Sequence, residues 1–229
     1  MLLAGKKILV TGGSRGIGLE ICRIFQEAGA DVLAVSQSAE NLFKARQLLP
    51  GLNTFVANVS NVEDIQDALD WVTSQWGLLD VLVNNAGVAL EEHIDIDHQS
   101  IAAFTKTMEV NVTGPYLFVK QSLANLLLSD DPRIINISSN LGIFSTRLKS
   151  GYDVSKVSLN ALTIALATHL KGRIAVNALS PGWVKTDMSP EATGDARTSA
   201  EKALKLLLEP KEVTGRFFGL NGEMNWCEF

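Results

Sequence analysis

The chain has 229 residues, 46% of them hydrophobic and 20% charged, a globular composition whose length suits one α/β domain with a substantial core. A formal net charge of −5, with lysines and arginines scattered, argues against nucleic acid and anionic membranes as partners. No run approaches the ~20 apolar residues of a membrane span, and the lysines in "MLLAGKKILV" interrupt the N-terminus too early for a signal peptide.

In chain order, a strand over 6–11 runs into the glycine turn "TGGSRGIG", which opens a helix over 16–28. A strand over 31–36 ends in "VSQS" and is followed by a helix over 39–49. The third strand, 54–59, ends on Asn58 and Val59 and precedes a helix over 62–75. The fourth, 79–84, runs into "LVNNAG". The long helix after it, 97–128, contains "NVTGP", where Pro115 has no N–H for the Asn111 carbonyl and predicts a kink. Strand 133–138 runs into "NISSNLG", helix 151–170 opens on "YDVSK", and strand 173–179 runs into "SPGWVKTDM". A helix over 198–208 and a strand over 216–220 follow. Strands of nearly continuous Val/Ile/Leu alternating with helices predict one doubly wound, Rossmann-like α/β domain, with a parallel seven-stranded sheet and helices on both faces. Such a sheet binds ligands beyond the carboxyl ends of its strands, where the strand order reverses.

The glycine turn stands where that ligand would be. Gly12, Gly16 and Gly18 form T-G-x-x-x-G-x-G between a strand and a helix, so backbone can approach a pyrophosphate at a helix N-terminus whose free N–H groups attract anions. Ser14 and Arg15 are candidate phosphate contacts. Tyr152 and Lys156 lie one helical turn apart; alone, such a pair is as readily a lysine stem lying over a ring. Cys22 and Cys227, like His93, His98 and His169, match no metal or redox spacing, so no metal is expected, and a cytoplasmic location is.

Taken together, "TGGSRGIG", "LVNNAG", "NVTGP", "NISSNLG", "YDVSK" and "SPGWVKTDM" resemble, in order and spacing, the short-chain dehydrogenase/reductase family of the small, NAD(P)-dependent kind. The likeness covers the chain to about residue 188, and the tail with its "NGEMNW" resembles the short carbonyl reductases, including those similar to C-factor. The resemblance implies a catalytic tetrad of Asn111, Ser139, Tyr152 and Lys156. Ser139 is chosen over Ser138 because the family's serine stands 13 residues before its tyrosine. It also implies cofactor contacts at Gly12, Ser14, Arg15, Gly16, Ile17, Gly18, Ser36, Gln37, Asn58, Val59, Asn85, Ala86 and Gly87. Further contacts fall on Tyr152, Lys156, Pro181, Gly182, Val184 and Thr186, with a short substrate-binding segment at about 186–210.

These groups suit carbonyl reduction. A nicotinamide supplies the hydride that no side chain can, and a proton must reach the oxygen. Tyr152 is the candidate acid, its phenol expected to be lowered toward neutral by the Lys156 ammonium; Ser139 would donate to the same oxygen. Asn58 replaces the family's usual aspartate near the adenine. Position 36 lacks the acid that would bind ribose hydroxyls and repel a 2′-phosphate, so NADP(H) is favoured over NAD(H), although Gln37 is not the arginine that marks NADP enzymes. The expected partners are a small carbonyl or alcohol substrate and a second copy of the chain. Helix 151–170 carries Leu159, Leu162, Leu166 and Leu170 for the sheet, and Val154, Val157, Ala161, Ala165 and Thr168 on another side, as in a homodimer or homotetramer. The competing readings are a non-catalytic dinucleotide-binding regulator of the same fold and an epimerase or dehydratase, which needs a larger C-terminal substrate domain.

Overall fold

The computed structural model describes residues 1–145 and 147–228. Its sheet contains β1 (Lys7–Thr11), β2 (Asp31–Ser36), β3 (Asn53–Val56), β4 (Val81–Asn84), β5 (Arg133–Ile137), β6 (Ala175–Leu179), β7 (Phe217–Gly219) and β8 (Gly222–Met224). The connecting helices are α1 (Gly16–Glu27), α2 (Ala39–Leu48), α3 (Val62–Trp76), α4 (Ile101–Met108), α5 (Gly114–Leu126), α6 (Gly151–His169) and α7 (Ala196–Leu207). The strand order is β3-β2-β1-β4-β5-β6-β7-β8. From β1 the chain builds outward to β3, then returns to place β4 against the free side of β1. The order therefore reverses between β1 and β4, and their carboxyl ends diverge there.

Alternation within the strands divides the core into two layers, because successive side chains leave a strand on opposite faces. Ile8, Val10, Val32 and Ala34 face the layer that contains Ile21 and Phe25 of α1, Leu42 of α2 and Leu206 of α7. Leu9, Leu33, Leu82, Ile134 and Val176 face the layer that contains Leu69 of α3, Phe118 of α5 and Ala167 of α6. Cys22 is buried and Cys227 exposed, both as free thiols. Among the described residues, no helix is long and apolar enough to cross a membrane.

The structure corrects the expected elements in three places. The sheet has eight strands, not seven: β8 turns back antiparallel on β7, pairing Gly219 with Gly222. A three-residue strand carries too little alternation to read in advance. β3 stops at Val56 because Asn58 and Asn61 turn the chain into α3, accepting from Ser60 N at 3.0 Å and Asp64 N at 2.9 Å. The long helix begins at Ile101, capped by Ser100, and is divided by a π turn over Glu109–Thr113. Pro115 sits at the start of α5 just beyond that turn. The missing N–H thus falls just past one wider turn of the helix.

The edge of the sheet opposite the glycine turn is tied together by Asp80. Its carboxylate accepts from Lys7 N at 2.8 Å, Lys6 Nζ at 2.9 Å and Ser129 Oγ at 2.6 Å. Burial pushes its pKa up, but the hydrogen bonds from Ser129, Lys7 and Lys6 outweigh burial and hold it below the ordinary value of 3.8. A depressed carboxyl stabilises the folded state above its unfolded pKa and loses that contribution as pH falls through the folded one. Asp80→Asn should therefore lower the unfolding free energy by about 1–3 kcal/mol at neutral pH. In denaturant titrations, the deficit should persist down to about pH 4 and shrink below it.

Candidate active site

Beyond their paired residues, Ile8–Val10 with Val81–Val83, the ends of β1 and β4 are joined by side chains. Asn85 Nδ2 donates to Thr11 O at 2.9 Å and Gly12 O at 3.3 Å, while Thr11 Oγ1 accepts from the N–H groups of Asn85 and Ala86 at 3.0 and 3.1 Å. Gly12 has φ +65°, and a Cβ there would lie 2.9 Å from Ala86 Cα. A Cβ on Gly18 would lie 2.3 Å from Gly12 O and 2.4 Å from Asn85 Nδ2. Both glycines are thus required by the packing of the loop itself. Asn85 spends its amide on the glycine loop; Gly87 continues the strand end toward Asn111 and Lys156, with a Cβ there 3.3 Å from Asn111 Oδ1 and 3.7 Å from Lys156 Nζ.

The remaining predicted cofactor residues line the same edge. Ser14 is buried and donates to Ser36 Oγ at 3.0 Å; Gln37 is exposed and Ile17 packs on the core. Arg15 pairs with Asp187 of the loop after β6, and in that loop Thr186 Cγ2 lies 3.3 Å from a Cβ built on Gly16. Pro181 O accepts from Ser199 Oγ of α7 at 2.6 Å, Gly182 has φ +83°, and buried Val184 bridges to Gly194. Buried Val59 lies against Gly114, and Asn58 Oδ1 accepts from Ser60 N at 3.0 Å. That bond occupies one side of the amide oxygen expected to face an adenine.

The four tetrad positions converge at the neighbouring strand ends. Asn111, 1% exposed on the π turn, accepts from Val88 N and donates to Val88 O, both at 2.9 Å. It also donates to Ser155 Oγ at 2.9 Å, and Ser155 donates to Tyr152 O at 2.7 Å. Ser155, which sequence reasoning passed over as part of "YDVSK", therefore fastens Asn111 to the first turn of α6. That turn is set by a capping box in which Ser150 and Asp153 bond each other's backbone. Lys156 is buried, its Nζ donating to Ile137 O at 3.0 Å and lying 5.6 Å from the centroid of the Tyr152 ring. Ser139 follows β5 and caps the short turn Asn140–Gly142. Ser138 is buried with an unpartnered hydroxyl.

The electrostatics differ from the expectation. Tyr152 is pushed up to about 12, first by burial, then by the Glu92 charge, against a lowering hydrogen bond with Ser139. Lys156 is pushed down to about 8 by burial. Its ammonium sits over the ring of Tyr152, and what dominates both groups is the loss of water.

The loop after β5 has a second support that sequence reasoning missed. Phe144 N donates to Trp226 O at 3.0 Å, and Glu228 N donates to Phe144 O at 2.9 Å. Arg147 pairs with Glu228, and Trp226 stacks on Phe217 of β7 with ring centroids 5.2 Å apart. Trp226 and Glu228 are thereby paired to the loop that follows Ser139.

The glycine edge fits a dinucleotide. Side chains cap the N-termini of α2, α3, α4, α6 and α7, through Ser38, Asn61, Ser100, Ser150 and Asp195. The N-terminus of α1 has no side-chain cap, which leaves its first N–H groups available to an anion.

Comparison with known proteins agrees with this geometry. Residues 6–197 match the model of the short chain dehydrogenase family. The chain is 30% identical to the 3-oxoacyl-acyl-carrier-protein reductase of Thermotoga maritima over 97% of its own length and 98% of that protein's. It is 32% identical to the L-fucose dehydrogenase of Mus musculus, over 98% and 85%. The structure is similar to the NADPH-bound carbonyl reductase from chicken fatty liver, with a TM-score of 0.89 at 27% identity, covering 98% of this chain and 100% of that one.

Buried Lys156 has a measurable consequence. Its folded pKa of about 8 lies below the ordinary 10.5. The unfolded chain therefore holds the proton more tightly, and the cost of burying the charge is full below pH 8 and gone above about 10.5. Lys156→Met should raise the unfolding free energy at pH 7 by about 1–3 kcal/mol, after the loss of the bond to Ile137. The gain should fade as pH rises between those two values; chemical denaturation across that range checks it.

Proposed function

Because the chain belongs to the short chain dehydrogenase family of NAD(P)-dependent oxidoreductases, we propose that it interconverts a carbonyl and an alcohol, with Tyr152 as general acid and base. The joining of Asn111 to the Tyr152 turn through Ser155, with Lys156 Nζ over the Tyr152 ring, carries this reading. A regulator that had lost the chemistry would have no need to bury Lys156 at a cost in stability.

A bound reduced nicotinamide dinucleotide supplies the hydride. The uncapped start of α1, with Gly12, Gly16, Ile17 and Gly18, would hold its phosphates. Ser14, Arg15, Ser36 and Gln37 would meet the adenosine ribose, Asn58 and Val59 the base, and Gly87, Lys156 and the 181–186 loop the nicotinamide end. The chain's own part is the proton. Tyr152 is fully protonated at neutral pH, the form that donates to a carbonyl oxygen as charge develops there. Ser139, whose Oγ donates to Asn140 Oδ1 at 3.2 Å, is close enough to lower the Tyr152 pKa, and one substrate oxygen would accept from both hydroxyls. Lys156, with its proton held near neutrality, can replace the one that Tyr152 gives up. The named relatives act on a 3-oxoacyl group, L-fucose and carbonyl compounds. Their shared carbonyl–carbinol chemistry is what we carry over to this chain. The half-exposed and exposed face of α6, with Ala161, Ile164, Ala165 and Thr168, supports self-association.

Assays of purified protein with aldehydes, ketones and quinones test this reading. Tyr152→Phe keeps the ring and removes the donor, and turnover should fall roughly 10²-fold or more while cofactor affinity, read by NADPH fluorescence, stays the same. Turnover within a few-fold of wild type would refute the role. NADPH should be used in preference to NADH in kcat/KM, since position 36 is a serine and Arg15 flanks the ribose site. Ser36→Asp should shift that ratio toward NADH.

A further inference from the structure

The loop between β4 and α4 contains four carboxylates, Glu91, Glu92, Asp95 and Asp97, that the reaction as described does not use. Glu91 has φ +51° and is the one non-glycine residue with positive φ among the described residues, a conformation kept only where its surroundings enforce it. They do: its carboxylate accepts from Ser100 N at 2.8 Å and Ser100 Oγ at 3.0 Å, and its carbonyl accepts from Gln99 Nε2 at 2.7 Å. Gln99 Oε1 in turn accepts from Gly151 N at 2.7 Å, and Ile96 N donates to Lys149 O at 2.8 Å. The loop is therefore fastened to the start of α6, the turn that carries Tyr152.

At this strained residue the chain reverses direction, and the next side chain is drawn in from solvent. The Glu92 side chain is 24% exposed, whereas that of His93 is 87% exposed. Among the described residues, no hydrogen-bond donor reaches the Glu92 carboxylate; His93 Nε2 is 3.8 Å away. Burial, ahead of the neighbouring charges, pushes Glu92 above the ordinary carboxyl value, and its charge acts directly on Tyr152. A carboxylate withdrawn from water without a donor is costly unless a ligand supplies one. Asp153, the other acid near Tyr152, already accepts from Lys149 N and Ser150 N.

We propose that Glu92 is a substrate-recognition residue, accepting a hydrogen bond from a hydroxyl or ammonium group borne one or two carbons from the reacting carbonyl. The inference rests on the carbonyl reductase reading. With the substrate oxygen between Tyr152 and Ser139, the substituent on the side of the 90–100 loop meets Glu92. The site then favours α- or β-hydroxy and amino carbonyl compounds and disfavours those with a carboxylate at the same place, which would meet like charge.

The test compares four ketones of similar size with NADPH: hydroxyacetone, aminoacetone, 2-butanone and pyruvate. In the wild type, hydroxyacetone or aminoacetone should exceed 2-butanone in kcat/KM by about tenfold or more, and pyruvate should be poorest. Which of the two leads distinguishes a hydroxyl from an ammonium preference. Glu92→Ala should bring the ratio near one, Glu92→Gln should keep part of it through the amide oxygen, and NADPH binding should be unchanged in both. An equal ratio in wild type and Glu92→Ala overturns the inference and leaves the reductase reading standing. If wild type binds NADPH but reduces none of the four, the inference also fails, and the reductase reading is decided by Tyr152→Phe on other carbonyls.

Discussion

The amide of Asn85 is the joint on which the cleft depends. β1 and β4 lie side by side and their onward chains leave in different directions, so no further sheet bonds can hold the two ends together. Asn85 and Thr11 supply those bonds across the gap, at 2.9 to 3.1 Å for the three shortest. The close approach leaves no room for a Cβ at Gly12 or Gly18. The glycines proposed to cradle phosphate are therefore fixed first by protein packing. A cradle held in this way is formed before any ligand arrives, which limits the ordering cost of binding.

From that joint the remaining contacts pass to the proton-handling groups. Asn111 clamps both polar atoms of Val88, just past the strand end, and reaches Ser155. Ser155 holds the first turn of α6, and that turn presents Tyr152 and Lys156. The cost is concentrated at Lys156, a buried cation with a single carbonyl partner. In the proposed mechanism, local stability is given up here for a proton kept near neutral pH, and the surrounding hydrogen bonds keep the chain from relaxing away from it.

Much of this was legible in the sequence, because the strong signals are local. Continuous apolar strands between helices gave the parallel sheet, and the glycine turn and "YDVSK" marked the two halves of the candidate site. What was not legible arises from contacts between distant segments. The loss of water around Tyr152 and Lys156 depends on packing from several loops, so the spacing of the pair suggested a lowered phenol where the structure raises it. Ser155 reads as filler until Asn111 is placed beside it. Glu92 lies in "EEHIDID", an acidic run that reads as solvated surface, and the backbone conformation of Glu91 is what distinguishes it from its neighbours. β8 and the tail carry three-residue patterns too short for periodicity to register.

The pairing of Phe144 with Trp226 and Glu228 has a bearing on how the molecule is made. Contacts across some eighty intervening positions are slow to form, because loop closure must precede them. During synthesis the nucleotide half of the sheet, from β1 to β4, can pack while the remainder is still being added, since domains gain structure from the N-terminal side as the chain emerges. The segment beside Ser139 cannot take its final backbone pairing until residues 226–228 have left the ribosome. The nascent protein would thus complete the packing around Gly12 and Asn85 well before the loop that follows Ser139 takes its final backbone pairing.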